Sequence, residues 1–247
     1  MRTFFQALAF LTRIPVPARL AAGGNWGRTP GVYAVVGLVI GLLVWGAAAL
    51  FLGLFTPITA SVLTVAFWVL LTGGLHLDGW IDLADALGSG RPREKMREIL
   101  KDSRTGAMGV IAAVLLLMVK AAFVYDILSA NRPIALVLPA VFARSALPAA
   151  MLLFPCISAD GLAASLQTSV KAKDAAVGLL FAAVAGFAAH RAAGVVSFVS
   201  SALAGYWFAR RVSGKLGGLN GDGYGALVEW TETVALAALL LSWRWLG

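Results

Sequence analysis

Hydrophobic residues in this chain come in long, nearly unbroken runs rather than at the alternate or every-third-or-fourth positions of soluble strands and helices. A helix of about 20 residues spans roughly 30 Å of hydrocarbon. Runs of about that length occupy 31–55, 58–75, 106–125 and 134–154, with Thr56-Pro57 breaking the first from the second. The stretch 175–209 is too long for one crossing and too short for two generous ones. The polar pair His190-Arg191 near its middle predicts two short spans turning there. The last run, 233–246, is short and predicts a span that tilts, extends backwards or crosses only in part. At the start, Phe4, Phe5, Leu8, Leu11 and Thr12 recur at helical spacing before Pro15 and Pro17. This predicts a short helix lying at the interface and ended by the prolines, not a cleavable signal. The expected fold is all-α: a polytopic transmembrane helical bundle of six to seven spans plus an N-terminal interfacial helix, with 1–247 forming a single unit in the lipid bilayer.

Composition strengthens this picture. Hydrophobic residues make up 60% of the chain and charged ones 13%, against about 25% charged in a soluble domain. That excludes an ordinary soluble enzyme and a disordered or fibrous chain. The single Cys156 excludes an internal disulfide and a cysteine-rich metal site. The net charge of +8 is read as membrane orientation, with no nucleic acid as partner. With the N-terminus inside, fifteen Lys and Arg fall in cytoplasmic segments and three (Arg132, Arg191, Arg244) outside, the asymmetry expected of cytoplasmic loops. Lys120 and Arg144 fall within spans. Arg144 is costly there and predicts a functional or paired role; Lys120, nearer a span end, is expected to snorkel.

The chain has only 12 acidic residues, so their placement is informative. Asp78, Asp82 and Asp85 stand at i, i+4 and i+7 in HLDGWIDLADALGSG, so in a helix they share one face. Either a solvated face with ion pairs or a bound cation explains them. Leu77, Trp80, Ile81 and Leu83 place the segment at a membrane border, which favours a hard cation such as Mg²⁺ or Mn²⁺ shared with substrate phosphates. His76 is a ligand, a base or an interfacial histidine. Glu94, Lys95 and Glu98 read as an ordinary surface helix. Beyond them, Lys101, Asp102, Ser103 and Arg104 precede a span start, a pattern suited to binding a phosphate at helix amides. A second acidic segment, GKLGGLNGDGYGALVEWTE, predicts a flexible glycine loop carrying Asp222, with Glu229 and Glu232 as further metal or hydroxyl contacts.

Three motifs carry a family resemblance: FLTRIPVP at 10–17; GGLHLDG at 73–79 through Asp82 and Asp85 to KDSRTG at 101–106; and LGGLNGD at 216–222 with Gly225-Ala226. The chain resembles the adenosylcobinamide-GDP ribazoletransferases, the cobalamin(-5′-phosphate) synthases of cobamide assembly, over essentially its whole length. Asn220 stands where that family commonly has Thr, and Ala86 where Gly usually follows the last Asp. The resemblance implies a membrane-bound, Mg²⁺-dependent phosphotransferase of the bacterial inner membrane. In it, a hydroxyl of α-ribazole or α-ribazole 5′-phosphate attacks the cobinamide-linked phosphorus of adenosylcobinamide-GDP, and GMP leaves. On this reading Asp78, Asp82, Asp85 and Asp222 are expected to hold the metal, with Asp82, Asp85 or His76 in catalysis. Lys101, Arg104, Arg13 and Asn220, with Asp222, are expected to bind substrate. Self-association or contact with other cobamide-assembly enzymes is a further expectation. A lipid-headgroup phosphotransferase fits less well, because Asp82-x-x-Asp85 is followed by Ala86 and no Ala-Arg follows at the required offset. A cation or metabolite transporter would carry its carboxylates near mid-membrane and often shows inverted repeats, neither of which is expected here. A scaffold with a polar face would tolerate neutralisation of both acidic segments.

Overall fold

The computed structural model describes residues 1–102 and 104–246. Among these the fold is all-α: α1 (Arg2–Leu11), α2 (Ala18–Ala21), a 3-10 segment (Trp26–Val32), α3 (Tyr33–Leu54), α4 (Pro57–Thr72), α5 (Leu75–Gly88), α6 (Arg93–Ile99), α7 (Ala107–Ser129), a 3-10 turn (Pro133–Leu136), α8 (Val137–Leu153), α9 (Leu162–Ser169), α10 (Ala172–Leu216) and α11 (Gly221–Leu246). The breaks have local causes. Thr12 ends α1 in extended backbone, its hydroxyl donating back to Leu8 O at 2.6 Å. Pro57 starts α4 at the first helical position, where a missing N–H costs nothing.

Among the described residues five helices are long and apolar enough to cross a membrane, and α4 joins them when counted with α5, from which it bends by 93°. One of the five, α10, is two arms. His190 and Arg191 leave helical geometry, Arg191 at φ +48°. A Cβ built on Gly186 would fall 2.8 Å from Gly194 O. Eight residues of continuous helix span about 12 Å, so this contact means the chain folds back on itself. The arms, 172–189 and 192–216, are two helices turned back on each other where the His190-Arg191 pair predicts a turn, each of a length that suits one crossing. The last span extends backwards from the 233–246 run, one of the outcomes its shortness predicts: it begins at Gly221, so Glu229 and Glu232 lie inside it.

The central helix is α8, with 78% of its apolar window buried against 22% for α7 and for α10. It packs on α3, α10 and α11. In lipid, helices gain little from burying apolar surface against one another, so small residues and polar contacts set the packing. Ala182 and Gly186 on one arm of α10, and Gly194, Ser197 and Ser201 on the other, are buried. Ser197 donates to Ala235 O of α11 at 2.8 Å.

The double glycine Gly73-Gly74 makes the corner between α4 and α5. Both have left-handed backbone, φ +66° and +70°, which side chains with a Cβ adopt at a cost. After the corner, α5 packs against the first turns of α7 and α11. Trp80 Nε1 donates to Ala112 O at 3.1 Å. A Cβ on Gly79 would meet Asp222 O at 2.7 Å. Only glycine lets α5 approach α11 that closely, and it places the acidic face of α5 beside Asp222. We read α5 as lying outside the spanning segments, at one end of the bundle.

The glycine segment near 214–225 is not a flexible loop. Gly214 belongs to α10, and Gly221, Gly223 and Gly225 to α11, leaving only 217–220 as a turn. That turn is pinned to the α8–α9 connection by Leu219 N–H donating to Pro155 O and Ile157 N–H donating to Leu219 O, both at 2.8 Å. Arg93 donates to Lys215 O and Gly214 O, and Arg97 to Leu216 O. These cations satisfy the last carbonyls of α10, the orphan acceptors of any helix end.

Candidate active site

The end of the bundle formed by α5 and the first turn of α11 gathers four carboxylates. Asp78, Asp82 and Asp85 lie on α5, and Asp222 joins them from α11 through the Gly79 contact. Burial and the charges of Asp78, Asp222 and Asp85 push the Asp82 pKa up to about 6. No Lys or Arg pairs with Asp78, Asp82 or Asp222 among the described residues. Asn220 Nδ2 donates to Asp222 Oδ2 at 2.7 Å, and Gly223 N–H donates to Asn220 Oδ1 at 2.9 Å. Asn220 therefore caps α11 and orients Asp222 together. Thr, common there in the resembling family, is also a good cap, which explains why the departure is harmless to the helix start. Ala86, the other departure, is fully buried.

Asp85 is differently placed. Its two oxygens accept from Gly106 N–H and Gly109 N–H, both at 2.7 Å. The first turn of α7 does hold an anion, as the pattern at 101–106 suggests, but the anion is the protein's own Asp85. A tethered carboxylate meets those amides at a high local concentration, so they are not open to a phosphate. Arg104 is exposed and its guanidinium is engaged by Asp102 at 2.7 Å. That bonding holds Asp102 down to about 2. Ser103 lies outside the described residues.

His76 is buried, 3% exposed, and its Nε2 has no hydrogen-bond partner. Burial, then the nearby Arg144 charge, pushes its pKa down to about 3, so it is neutral at pH 7. Arg13 is exposed, and its guanidinium arm lies over Gly73 at the α4–α5 corner.

Two hollows meet at Asn220-Gly221-Asp222. A cleft of about 440 Å³ is lined by Arg97, Lys101, Ser158, Asp160 and Asn220. An apolar cavity of about 250 Å³ is lined by His76, Asp78, Asp222 and Tyr224 at one side and by leucines, Met151 and Ala163 elsewhere. The apolar cavity, and Tyr224 within it, could not be read from the sequence, because its walls come from α1, α5, α8, α9 and α11.

Behind this end of the bundle lies a second charged group. Lys120 Nζ contacts Glu229 Oε2 at 2.6 Å and Glu232 Oε2 at 2.5 Å, and Arg144 Nη1 bonds Glu232 Oε1. Lys120 also lies 4.8 Å from the Trp68 ring centroid. This corrects two expectations. Lys120 is 3% exposed and does not snorkel. Glu229 and Glu232 are bound to cations, not free as metal or hydroxyl contacts. Arg144 is paired, as its depth predicts.

Could the acidic face hold Mg²⁺? Among the described residues no three His, Cys, Asp or Glu side chains form a ready-made ion cage. Mg²⁺ commonly takes only one or two carboxylates and keeps waters and substrate phosphate oxygens. Hard oxygen donors without a cationic partner, on a surface that opens to two hollows, fit that ion.

The cobalamin-5-phosphate synthase family model matches residues 3–240. Curated relatives are similar along the whole chain. An adenosylcobinamide-GDP ribazoletransferase of Brevibacillus brevis is 43% identical, covering 100% of both chains. Enzymes of the same name from Ectopseudomonas mendocina and Pseudomonas paraeruginosa are 38% identical over 96% of this chain and 97% of theirs, and 36% over 98% of both. No solved structure matches.

Proposed function

This chain belongs to the cobalamin-5-phosphate synthase family, and on that footing we propose how its geometry carries out the family's reaction. The protein is a membrane transferase that joins α-ribazole, or its 5′-phosphate, to adenosylcobinamide-GDP and releases GMP. In the reaction a bond forms between the acceptor hydroxyl oxygen and the cobinamide-linked phosphorus. The bond from that phosphorus to the GMP oxygen breaks, and the hydroxyl proton goes to a base.

The single observation that carries the assignment of roles is the unpaired carboxylate face between a cationic cleft and an apolar cavity. Asp78 and Asp222 would hold Mg²⁺, which when bound would neutralise phosphate oxygens and the departing phosphate. Arg97 and Lys101 face the cleft and attract the diphosphate of adenosylcobinamide-GDP there; Asn220 holds Asp222 in line. Arg13, at the exposed surface, supplies further positive field for an anionic substrate, whereas the Arg104 charge is matched by Asp102. Asp82 is the carboxylate suited to accept the hydroxyl proton, since a base works best with a pKa near the working pH. Neutral, buried His76 is a weak base and serves better as a hydrogen-bonding group. Asp85 anchors α5 to α7 and so fixes the face from which Asp78 and Asp82 project. The acidic end of the bundle faces the cytoplasm of the bacterial inner membrane, because the Lys and Arg residues concentrate on that end.

The test is GMP release from adenosylcobinamide-GDP and α-ribazole by the purified protein in detergent. Release is expected with Mg²⁺, is expected to stop in EDTA, and should return when Mg²⁺ is restored. Undiminished release in EDTA would remove the metal from this account.

A further inference from the structure

We propose that the polar cleft between the 3-10 segment Trp26–Val32 and the α9–α10 junction binds the headgroup phosphate of an anionic phospholipid. The cleft has a volume of about 600 Å³. Arg28 reaches it from the 3-10 segment, and Lys171 and Lys173 from the start of α10. None of the three pairs with a carboxylate among the described residues. Asp174 also lines the cleft, and it accepts from Lys171 N–H at 2.9 Å. It caps the first turn of α10 much as Asp85 caps α7, so the helix amides are already engaged and do not define the site. The site is defined by three cations, against one anion, brought to one cleft by two separate elements. The walls themselves are closely packed. A Cβ on Gly27 would fall 2.5 Å from Ser169 Cβ, and one on Gly31 would fall 2.8 Å from Asp174 Oδ1. The cations are therefore carried on packed backbone rather than on a loose tail.

Depth selects a lipid over a soluble anion. Both walls lead into membrane-length helices, the 3-10 segment into α3 and Lys171 into the first arm of α10. Val177, Leu180 and Val184 are exposed along one face of that arm. This face begins four residues after Lys173, or about 6 Å along the helix axis. On α3, Val35 and Leu42 are exposed at helical spacing. In a bilayer these faces meet acyl chains, which places the cleft just beyond the hydrocarbon, at headgroup level. Trp26 is also exposed, and tryptophan favours that depth. Basic pockets where spanning helices leave the membrane hold acidic headgroups through this combination of charge and depth. A phosphodiester seated between Arg28 and Lys173 lays its chains along Val177, Leu180 and Val184. The cleft is distinct from the carboxylate end. α9 stands between them, with Thr168 and Ser169 on the cleft side and Leu162 and Leu166 on the side of Asp78 and Asp222. The proposal is thus independent of the transferase reading.

The experiment titrates purified full-length protein, in a non-ionic detergent, against tail-labelled phosphatidylglycerol and reads fluorescence anisotropy. Unlabelled phosphatidylglycerol should displace the probe at least about 10-fold better than phosphatidylcholine, whose choline cancels the phosphate charge. Inorganic phosphate and GDP, which lack acyl chains, should compete far more weakly. Arg28→Gln with Lys173→Gln should weaken probe binding about 25-fold, because each cation near a lipid surface contributes about fivefold. Lys173→Gln alone, at an exposed position, should weaken it about fivefold. Arg210→Gln with Arg211→Gln removes two exposed cations from the same end of the bundle but outside the cleft. That pair should leave binding within about twofold of wild type. The proposal is overturned if phosphatidylcholine competes as well as phosphatidylglycerol, or if Arg28→Gln with Lys173→Gln binds the probe like wild type. It is also overturned if both double variants weaken binding equally, which is general surface charge, or if inorganic phosphate or GDP displaces the probe as well as phosphatidylglycerol does, which is a site for soluble anions.

Discussion

Two groups of acidic residues lie close together in this bundle and could hardly be treated more differently. Glu229 and Glu232 are buried in α11 with Lys120 and Arg144, two anions against two cations. Asp78, Asp82 and Asp222 stand at the bundle end with no Lys or Arg pairing with them among the described residues. The first group is neutral as a whole and ties α7, α8 and α11 together where lipid would make any unmatched charge expensive. The second keeps its negative charge, and the charge is available to something that arrives from outside. On the function proposed above, matched charge serves the scaffold and unmatched charge the chemistry.

The largest expected effect tests the second half of that contrast. Asp78→Asn or Asp82→Asn should cut turnover about 1000-fold, the loss of several kcal/mol of charge stabilisation. Neither should lower the melting midpoint in detergent, since removing one of several repelling charges relieves the fold. A variant that keeps wild-type turnover would sink the metal face.

Next comes the matched group. Glu232→Ala leaves Arg144 and Lys120 buried with one carboxylate between them and should cost about 3–5 kcal/mol of stability. Chemical or thermal denaturation in detergent would show it, and activity should track the folded fraction. The double change Arg144→Met with Glu232→Leu should recover much of that loss. If the single variant is as stable as wild type, the network is not holding the helices.

A smaller effect separates the groups by pH. Asp82 has a folded-state pKa near 6, above the ordinary carboxylate value near 4. The folded protein therefore binds this proton more tightly than the unfolded chain does. Its contribution to stability is fully present below pH ~4 and is lost as pH rises through about 6. Melting midpoints in EDTA should show this decline between those values, and Asp82→Asn should flatten it. Activity should run the other way, rising as Asp82 gives up its proton, and with Mg²⁺ bound beside it that rise should come at lower pH than the metal-free titration.

The smallest expected change is Asn220→Thr. Both residues cap helices well, so stability should shift by less than about 1 kcal/mol and turnover by little. Asn220→Ala, by contrast, removes the cap and the hydrogen bond to Asp222. It should lower turnover more than stability, which kinetics and melting together would reveal.

Much of this site was legible before any coordinates. The spacing of Asp78, Asp82 and Asp85 is a local fact of one helix, and it survives in α5. The turn at His190-Arg191 also shows, because two adjacent polar residues cannot sit comfortably in the middle of an apolar run. Other features were not legible. Lys120 finds its anions more than 100 positions along the chain, and no periodicity carries that information. Asp85 looks equivalent to Asp78 and Asp82 in sequence, yet the first turn of α7 claims it. The glycines after 214 look like a loop, but close packing of α11 against His76 and Leu75 explains Gly225 better than flexibility does.

By itself, then, the order of residues determined an all-α bundle with long apolar spans, a concentration of cations at one end, and an acidic helix among them. Hydrocarbon thickness, helix rise and charge cost act on consecutive residues, so a single chain read in order carries them. Only the tertiary structure decided which charges neutralise one another, which carboxylate became a helix cap, and that an apolar cavity adjoins Asp78 and Asp222. Those outcomes depend on which helices touch, and contact between helices is set by packing across the bundle rather than by any one segment.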